Sequence, residues 1–118
     1  MSYVRKPFDE MSSRGSGVVK LARRDLGITA FGMQVFDFPP GAATPEHTES
    51  GGQEEVYVGL SGSGWVEVEG EQVPLGPRVA VSVMPGTSRR TVAGPDGLSF
   101  LAVGAVPHEE HEAPTKFQ

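Results

Sequence analysis

The hydrophobic residues of this chain fall into short runs that are separated by glycine and proline. The clearest run is ITAFGMQVFDF, residues 28–38, which ends at the PPG sequence of residues 39–41. Side chains along a strand alternate between two faces. Both faces of this run carry large apolar residues: Phe31, Met33 and Val35 on one, Phe36 and Phe38 on the other. The pattern therefore predicts a β-strand that is covered on both sides.

Later runs predict further short strands that are joined by tight turns. Glu69-Gly70 is typical of a hairpin turn, and Gly94-Pro95-Asp96-Gly97 predicts another turn. The predicted strands are EVYVGL (55–60), WVEV (65–68), QVPL (72–75), RVAVSVM (78–84), RRTVA (89–93) and LSFLAVGAV (98–106). In the first of these, Glu55 and Tyr57 share one face and valines the other, so neither face is strongly polar. We expect a partner subunit or the N-terminal segment to cover the second face, and a homodimer is the simplest source of that cover.

The two ends of the chain lack this pattern. Residues 1–17 show no sustained period and predict an irregular arm. The run VVKLARRDL, residues 18–26, fits either one or two helical turns closed by Gly27 or a strand followed by a turn. Residues 107–118 are charged and contain prolines, so they predict a surface or disordered tail. We therefore expect an arm at 1–27, a β-domain at 28–106 and a tail at 107–118.

Composition agrees with an all-β sandwich or barrel and excludes some partners. Sixteen glycines and ten prolines in 118 residues are typical of many short strands with tight turns. A net charge of −5 opposes nucleic acids and anionic membranes, so neither is an expected partner. The N-terminus has no apolar segment of signal-peptide type, and no stretch approaches membrane-spanning length. These features predict a soluble cytoplasmic protein.

The candidate chemistry lies around the second predicted strand. The chain has no cysteine, so any metal ion must be bound by imidazole and carboxylate groups. Gly41-x5-His47-x-Glu49 is followed by Glu55-x6-Gly62. This spacing resembles the first motif of the cupin superfamily, G-x5-H-x-H-x3or4-E-x6-G, and QEEVYVGLSGSG resembles small single-domain bacterial cupins of the conserved-barrel type. The resemblance implies a double-stranded β-helix, or jelly-roll barrel, with a site in its cavity.

The family's metal ligands carry over only in part. His47 and Glu55 match the motif, whereas Glu49 replaces the second histidine. In the second cupin motif, Arg89 stands at the histidine position and no asparagine follows. A guanidinium has no lone pair to donate, and its charge opposes a cation. The resemblance therefore implies at most a weak divalent metal site, for Zn, Mn, Fe or Ni, formed by His47, Glu49 and Glu55.

Several roles remain open for the charged residues of this site. Arg89 either pairs with Glu49 or Glu55 or binds the carboxylate or phosphate of a small ligand. Glu55 and Tyr57 are further candidate ligand contacts, although Tyr57 also fits a core position. His108 and His111 lie in the charged tail, where solvated side chains are expected.

Three functions follow from these candidates. The first is a barrel that binds a small, anionic metabolite with a weak or degraded metal site. The second is a metal-dependent enzyme of the dioxygenase, isomerase or decarboxylase type. The third is an interaction module, because a fold does not determine a function.

Overall fold

The computed structural model describes residues 2–108 and 110–112 of the chain. Within these residues the strands are β1 Ser13–Arg14, β2 Val19–Lys20, β3 Gly32–Phe38, β4 Glu54–Val68, β5 Glu71–Leu75, β6 Ala80–Val83 and β7 Arg89–Ala105. One α-helix, α1 Ala22–Leu26, and two 3-10 turns, Phe8–Glu10 and Ser50–Gly52, complete the elements. None of the described helices is long and apolar enough to cross a membrane.

The strands form one antiparallel sheet that is built on the two long strands, β4 and β7. β7 pairs with β3 on one side and with β4 on the other, in the order β1-β2-β3-β7-β4-β5. β6 pairs with residues 55–58 of β4, and β5 pairs with residues 64–68. β4 therefore pairs with β6 at one end and with β5 at the other. The fold is the all-β barrel that the sequence predicts.

The core of the barrel is one cluster of aromatic and aliphatic side chains. Phe100 is fully buried, stacks on Phe36 at 4.7 Å between ring centroids and contacts the edges of Phe38 and Tyr57. Buried aliphatic residues continue this cluster: Val66, Leu75, Val83, Ala93 and Leu98. Aromatic pairs in such arrangements add about 0.5–1.5 kcal/mol each to the effect of burial. The Phe36 and Phe38 face of β3 thus points into the barrel.

The other face of β3 is covered by the N-terminal segment. Val35 packs with Met11 and Ala22 in a second buried cluster. β2 pairs with β3, and β1 pairs with β2. The prediction that β3 is covered on both sides is confirmed, and the cover comes from this segment.

Residues 18–26, for which the sequence leaves a helix or a strand with a turn open, form a short strand followed by a short helix. Val19–Lys20 forms β2, and α1 ends at Gly27, which has a left-handed φ of 69°. The preceding segment, expected to be irregular, contains the two-residue strand β1 and one 3-10 turn. Local periodicity misses such short elements because their stability comes from β3, not from their own sequence.

Two predicted breaks between strands are absent. Residues 55–60 and 65–68 belong to the single strand β4, and residues 89–93 and 98–105 belong to β7. The predicted turn at Gly94–Gly97 is wrong, because Gly64 pairs with Ala93 and Gly62 pairs with Leu98. Four residues of β7 thus lie opposite one residue of β4, so the turn-like sequence forms a large bulge inside a continuous strand. The hairpin at Glu69-Gly70 is confirmed.

The close approach of two glycines where β4 meets the β5–β6 connection predicts a sharp difference in stability. A Cβ on buried Gly59 would lie 1.8 Å from the carbonyl oxygen of Gly76, whereas a Cβ on Gly76 would meet only the oxygen of Gly62, at 3.6 Å. We expect Gly59→Ala to lower the free energy of unfolding by about 3 kcal/mol or more. Gly76→Ala should change it by less than about 1 kcal/mol. Urea denaturation measures both, and equal stability of the two variants would contradict this packing.

Candidate metal and ligand site

The inward face at the start of β4 carries two of the predicted site residues. Glu55 and Tyr57 are two positions apart, so both point to the same side of the sheet. The residues opposite them on β7 are small: Gly104 faces Glu55, and Ala102 faces Tyr57. Small neighbours leave space beside the two polar side chains, and a pocket forms there.

The loop between β3 and β4 brings His47 to this pocket. Its backbone N–H donates to the carbonyl of Arg89 at 2.8 Å, and the N–H of Arg89 donates back to His47 at 2.9 Å. Earlier in the same loop, the N–H of Thr44 donates to the carbonyl of Thr91, and the N–H of Thr91 donates to Thr44 Oγ1. The loop is thus attached to the beginning of β7, and the position of the imidazole follows from that attachment.

His47, Glu49 and Glu55 form one cluster. Each is half-buried, and one ligand atom from each lies within 4.8 Å of the others. His47 Nε2 is 3.3 Å from Glu49 Oε1, and His47 Nδ1 is 3.0 Å from the carbonyl oxygen of Pro45. The structure therefore brings together the three residues that the resemblance implies as metal ligands.

The surroundings of His47 select one tautomer. A carbonyl oxygen only accepts hydrogen bonds, so Nδ1 is the protonated nitrogen and donates a hydrogen bond to the carbonyl of Pro45. In a neutral imidazole, Nε2 then presents a lone pair to the Glu49 carboxylate. Two acceptors at this distance repel unless a cation or a second proton lies between them. A backbone acceptor on the far nitrogen is also the common support of metal-binding histidines.

The donor set fits a divalent metal ion of the harder kind. One imidazole nitrogen and two carboxylates can hold Mn²⁺, Fe²⁺ or Zn²⁺ with other positions free for solvent or ligand. The two carboxylates also supply the negative charge that a dication needs. Against this, Glu55 Oε1 already accepts hydrogen bonds from Tyr57 and Arg89, so its second oxygen is the one available to a metal. These residues fit a metal, but a weakly held one.

Arg89 supports this cluster from inside the barrel. Its side chain is fully buried and donates from Nε to Tyr57 Oη at 3.1 Å and from Nη1 to the carbonyl of Thr87 at 2.7 Å. Its Nη2 lies 3.4 Å from Glu55 Oε1. Of the two pairings that the sequence leaves open, the structure has the one with Glu55. The guanidinium thereby positions the Glu55 carboxylate and the Tyr57 hydroxyl, which also donates to Glu55.

Burial changes the protonation of both Glu55 and Tyr57. Burial raises the pKa of Glu55, and the nearby Glu49 charge raises it further, while Tyr57, Arg89 and His47 act in the opposite direction. Burial also raises the pKa of Tyr57 well above its usual range, helped by its hydrogen bond to Glu55. The Tyr57 hydroxyl therefore keeps its proton at every ordinary pH and donates a hydrogen bond to Glu55.

Two adjoining pockets open beside the cluster. The inner one, of about 220 Å³, is lined by His47, Glu49 and Glu55 and by the aromatic rings of Phe36, Tyr57 and Phe100. The outer one, of about 500 Å³, shares Gln34, Glu49, Glu55 and Ala102 with it. Its far wall comes from the N-terminal segment and includes Arg14, Leu21, Arg23 and Arg24. Sequence reasoning missed this wall, because the segment shows no period that would place it.

The remaining predicted residues have separate positions. Arg89 lines neither of these two pockets, so a contact between it and a ligand stays a prediction. His108 and His111 are exposed, and they line a different surface depression with Glu110 and Glu112.

The sequence of this barrel matches a known family. The cupin domain family matches residues 34–104, which is more than half of the chain, and the chain belongs to that family. None of the curated proteins matches the sequence.

Solved structures share the same barrel. A cupin protein from Bacteroides fragilis superposes with a TM-score of 0.80 at 21% identity, covering 98% of this chain and 93% of that one. A sugar phosphate isomerase of the cupin superfamily from Silicibacter pomeroyi gives 0.67 at 19% identity, covering 74% and 57%. The cupin domain of an XRE family transcriptional regulator from Enterobacter cloacae gives 0.60 at 21%, covering 66% and 83%. Likeness at this level of identity shows the fold alone.

The buried position of Arg89 predicts a large effect on stability. Arg89→Met removes the donors to Tyr57, Glu55 and Thr87. Because it leaves a half-buried carboxylate without its cation, we expect the free energy of unfolding to fall by about 3 kcal/mol or more. The matched control is Arg90→Met, which breaks only the more exposed pair with Glu67 and should cost much less. Urea denaturation at neutral pH compares them, and a similar loss in both would show that Arg89 does not hold the site.

The raised pKa of Glu55 predicts a pH dependence of stability in the metal-free protein. Its folded-state pKa lies above the ordinary value of 4.5, so the folded protein binds this proton more tightly than the unfolded chain does. The resulting stability is fully present below pH 4.5 and is lost as pH rises through the folded-state pKa. Glu55→Gln should remove this decline.

Unfolding free energies across a pH series, with chelator present, test this expectation. Glu54→Gln, which changes an exposed neighbour on the opposite face, is the control and should follow the wild type. If the curves for Glu55→Gln and wild type run parallel, burial does not govern the protonation of Glu55.

Proposed function

We propose that this protein binds a small metabolite in its barrel pocket, at a divalent metal ion held weakly by His47, Glu49 and Glu55. The observation that carries the proposal is the convergence of these three ligand atoms within 4.8 Å at the wall of the inner pocket. Together the two adjoining pockets, of about 220 and 500 Å³, have the size of a site for a small organic molecule.

The pocket divides the binding task between its walls. Phe36 and Phe100 offer apolar surface to the carbon atoms of a ligand, and Gln34 offers an amide to its polar groups. When bound, a divalent ion would supply Lewis acidity to a ligand oxygen. Arg89 and Tyr57 keep Glu55 in place and share its charge, which limits how tightly a metal can bind. Occupancy would therefore follow the ambient metal concentration.

A second candidate function is a metal-dependent enzyme that uses the same three ligands. The observation that favours it is the Tyr57–Glu55 hydrogen bond at the pocket wall, since the raised pKa of Glu55 makes its carboxylate a stronger base than a free glutamate and Tyr57 keeps that carboxylate in place. Among the dioxygenase, isomerase and decarboxylase types, isomerisation and decarboxylation need proton transfer and no oxidant. The structural likeness to a sugar phosphate isomerase is in keeping with that type. The expected homodimer and the cytoplasmic location stay predictions.

Metal titration tests the proposal directly. Protein purified without a metal-affinity tag and treated with chelator should bind Mn²⁺, Fe²⁺, Ni²⁺ or Zn²⁺ at one site in isothermal titration calorimetry. We expect His47→Ala and Glu49→Gln each to weaken binding by about tenfold or more, because loss of even an outer-shell partner commonly costs that much. His108→Ala, which changes an exposed histidine of the tail, should leave the affinity unchanged.

A ligand screen completes this test. Small carboxylic acids and sugar phosphates are added to the protein with and without the metal that binds best. A ligand of the native state raises the midpoint of thermal unfolding. The proposal fails if metal affinity is insensitive to His47→Ala and Glu49→Gln, or if no compound shifts the midpoint in either condition. Conversion of a compound that binds would decide for the enzyme.

A further inference from the structure

Three arginines of the N-terminal segment share the far wall of the outer pocket: Arg14 on β1 and Arg23 and Arg24 on α1. The barrel contributes Glu49, Glu55 and Gln53 to the same pocket. We propose that the three guanidinium groups bind an anionic group of the ligand, a phosphoryl or a carboxylate. This inference rests on the proposed function, and it names the chemical class of the metabolite.

The segment that carries these arginines is fastened to the barrel at several points. Met11 and Ala22 are buried against Val35 of β3. The N–H of Leu21 donates to the carbonyl of Ser12 at 2.9 Å, and the Ser12 hydroxyl donates to Asp25 Oδ1 at the same distance. Because contacts lie before, between and after the arginines, their positions are set by the fold. They differ in this respect from arginines on a loose tail.

One further contact keeps the end of α1 in place and leaves the arginine side chains free. The N–H of Ile28 donates to the carbonyl of Arg23 at 3.0 Å. This bond uses the backbone of Arg23 and does not involve its side chain. All three arginine side chains are exposed, and none is in a salt bridge with another residue of ranges 2–108 and 110–112. Their donors are therefore available to a ligand.

Within the outer pocket, the distribution of charge favours an anion at the arginine wall over the wall that carries Glu49 and Glu55. The protein as a whole carries a net charge of −5, yet three positive groups line one pocket. Guanidinium groups recognise phosphate and carboxylate through paired, charge-assisted hydrogen bonds. The opposite wall holds the Glu49 and Glu55 carboxylates, which repel an anion in the absence of a metal. The anionic end of a ligand must therefore lie toward the N-terminal segment, with its other end at the metal cluster.

Binding of inorganic phosphate to the metal-free protein tests the arginine wall by itself. We expect ³¹P NMR titration to show saturable binding that Arg14→Gln/Arg23→Gln/Arg24→Gln weakens by about tenfold or more. The matched control, Arg5→Gln/Lys6→Gln/Arg78→Gln, removes the same charge from exposed residues that line neither pocket. It should weaken binding by less than about threefold, through the general field alone. Thermal midpoints confirm that both variants fold.

The outcomes separate this inference from the metal proposal. Phosphate affinity should be unchanged in His108→Ala, because that exposed residue lines neither pocket. A parallel titration with succinate distinguishes a phosphoryl site from a carboxylate site, and tighter binding of either anion supports the shared chemistry. The inference is overturned if neither anion binds saturably, or if the two triple variants lose affinity equally. Loss of metal binding with retained phosphate binding would defeat only the metal site.

Discussion

Two backbone hydrogen bonds between His47 and Arg89 join the loop after β3 to the start of β7, and the rest of the site depends on this pairing. The same residue, Arg89, sends its side chain into the barrel, where it holds Glu55 and Tyr57. One position on β7 thus places an imidazole through its backbone and a carboxylate through its guanidinium. The positive charge of Arg89, at the second-motif position, does not by itself abolish the candidate metal site, because this charge is paired with Glu55.

The same arrangement would weaken the metal binding that we propose for this cluster. A metal ion competes with Arg89 and Tyr57 for Glu55, and it competes with a proton for the space between His47 and Glu49. The affinity for a metal would therefore depend on these neighbouring groups and on the ligand that completes the coordination of the metal. In the proposed function, the affinities for the metal and for the metabolite would be linked, because a metabolite that coordinates the metal completes its shell.

Much of the barrel and of the inner pocket could be predicted from the sequence, because both depend on local signals. Alternation of side chains gives β3 and the inward face of Glu55 and Tyr57, and the spacing from Gly41 to Gly62 gives the family. The partner of Arg89 could not be chosen, because it depends on a pairing between residues far apart in sequence. The bulge at Gly94–Gly97 was missed for the same reason, since turn residues look alike in a turn and in a bulge. The arginine wall lies on elements too short to show a period, and only packing against Val35 orders them.

The N-terminal segment is attached through strands of two residues and one small buried cluster, whereas the barrel is closed by strands of up to 17 residues. Elements this short open locally at a lower free energy than the strands of a core do, even where hydrogen bonds set their positions in the closed state. Were this segment to open, the outer pocket would lose its N-terminal wall, whereas none of the residues that line the inner pocket belongs to the segment. A metabolite of the proposed kind would then enter and leave without unfolding of the barrel, and its residence time would be set by how often those contacts break.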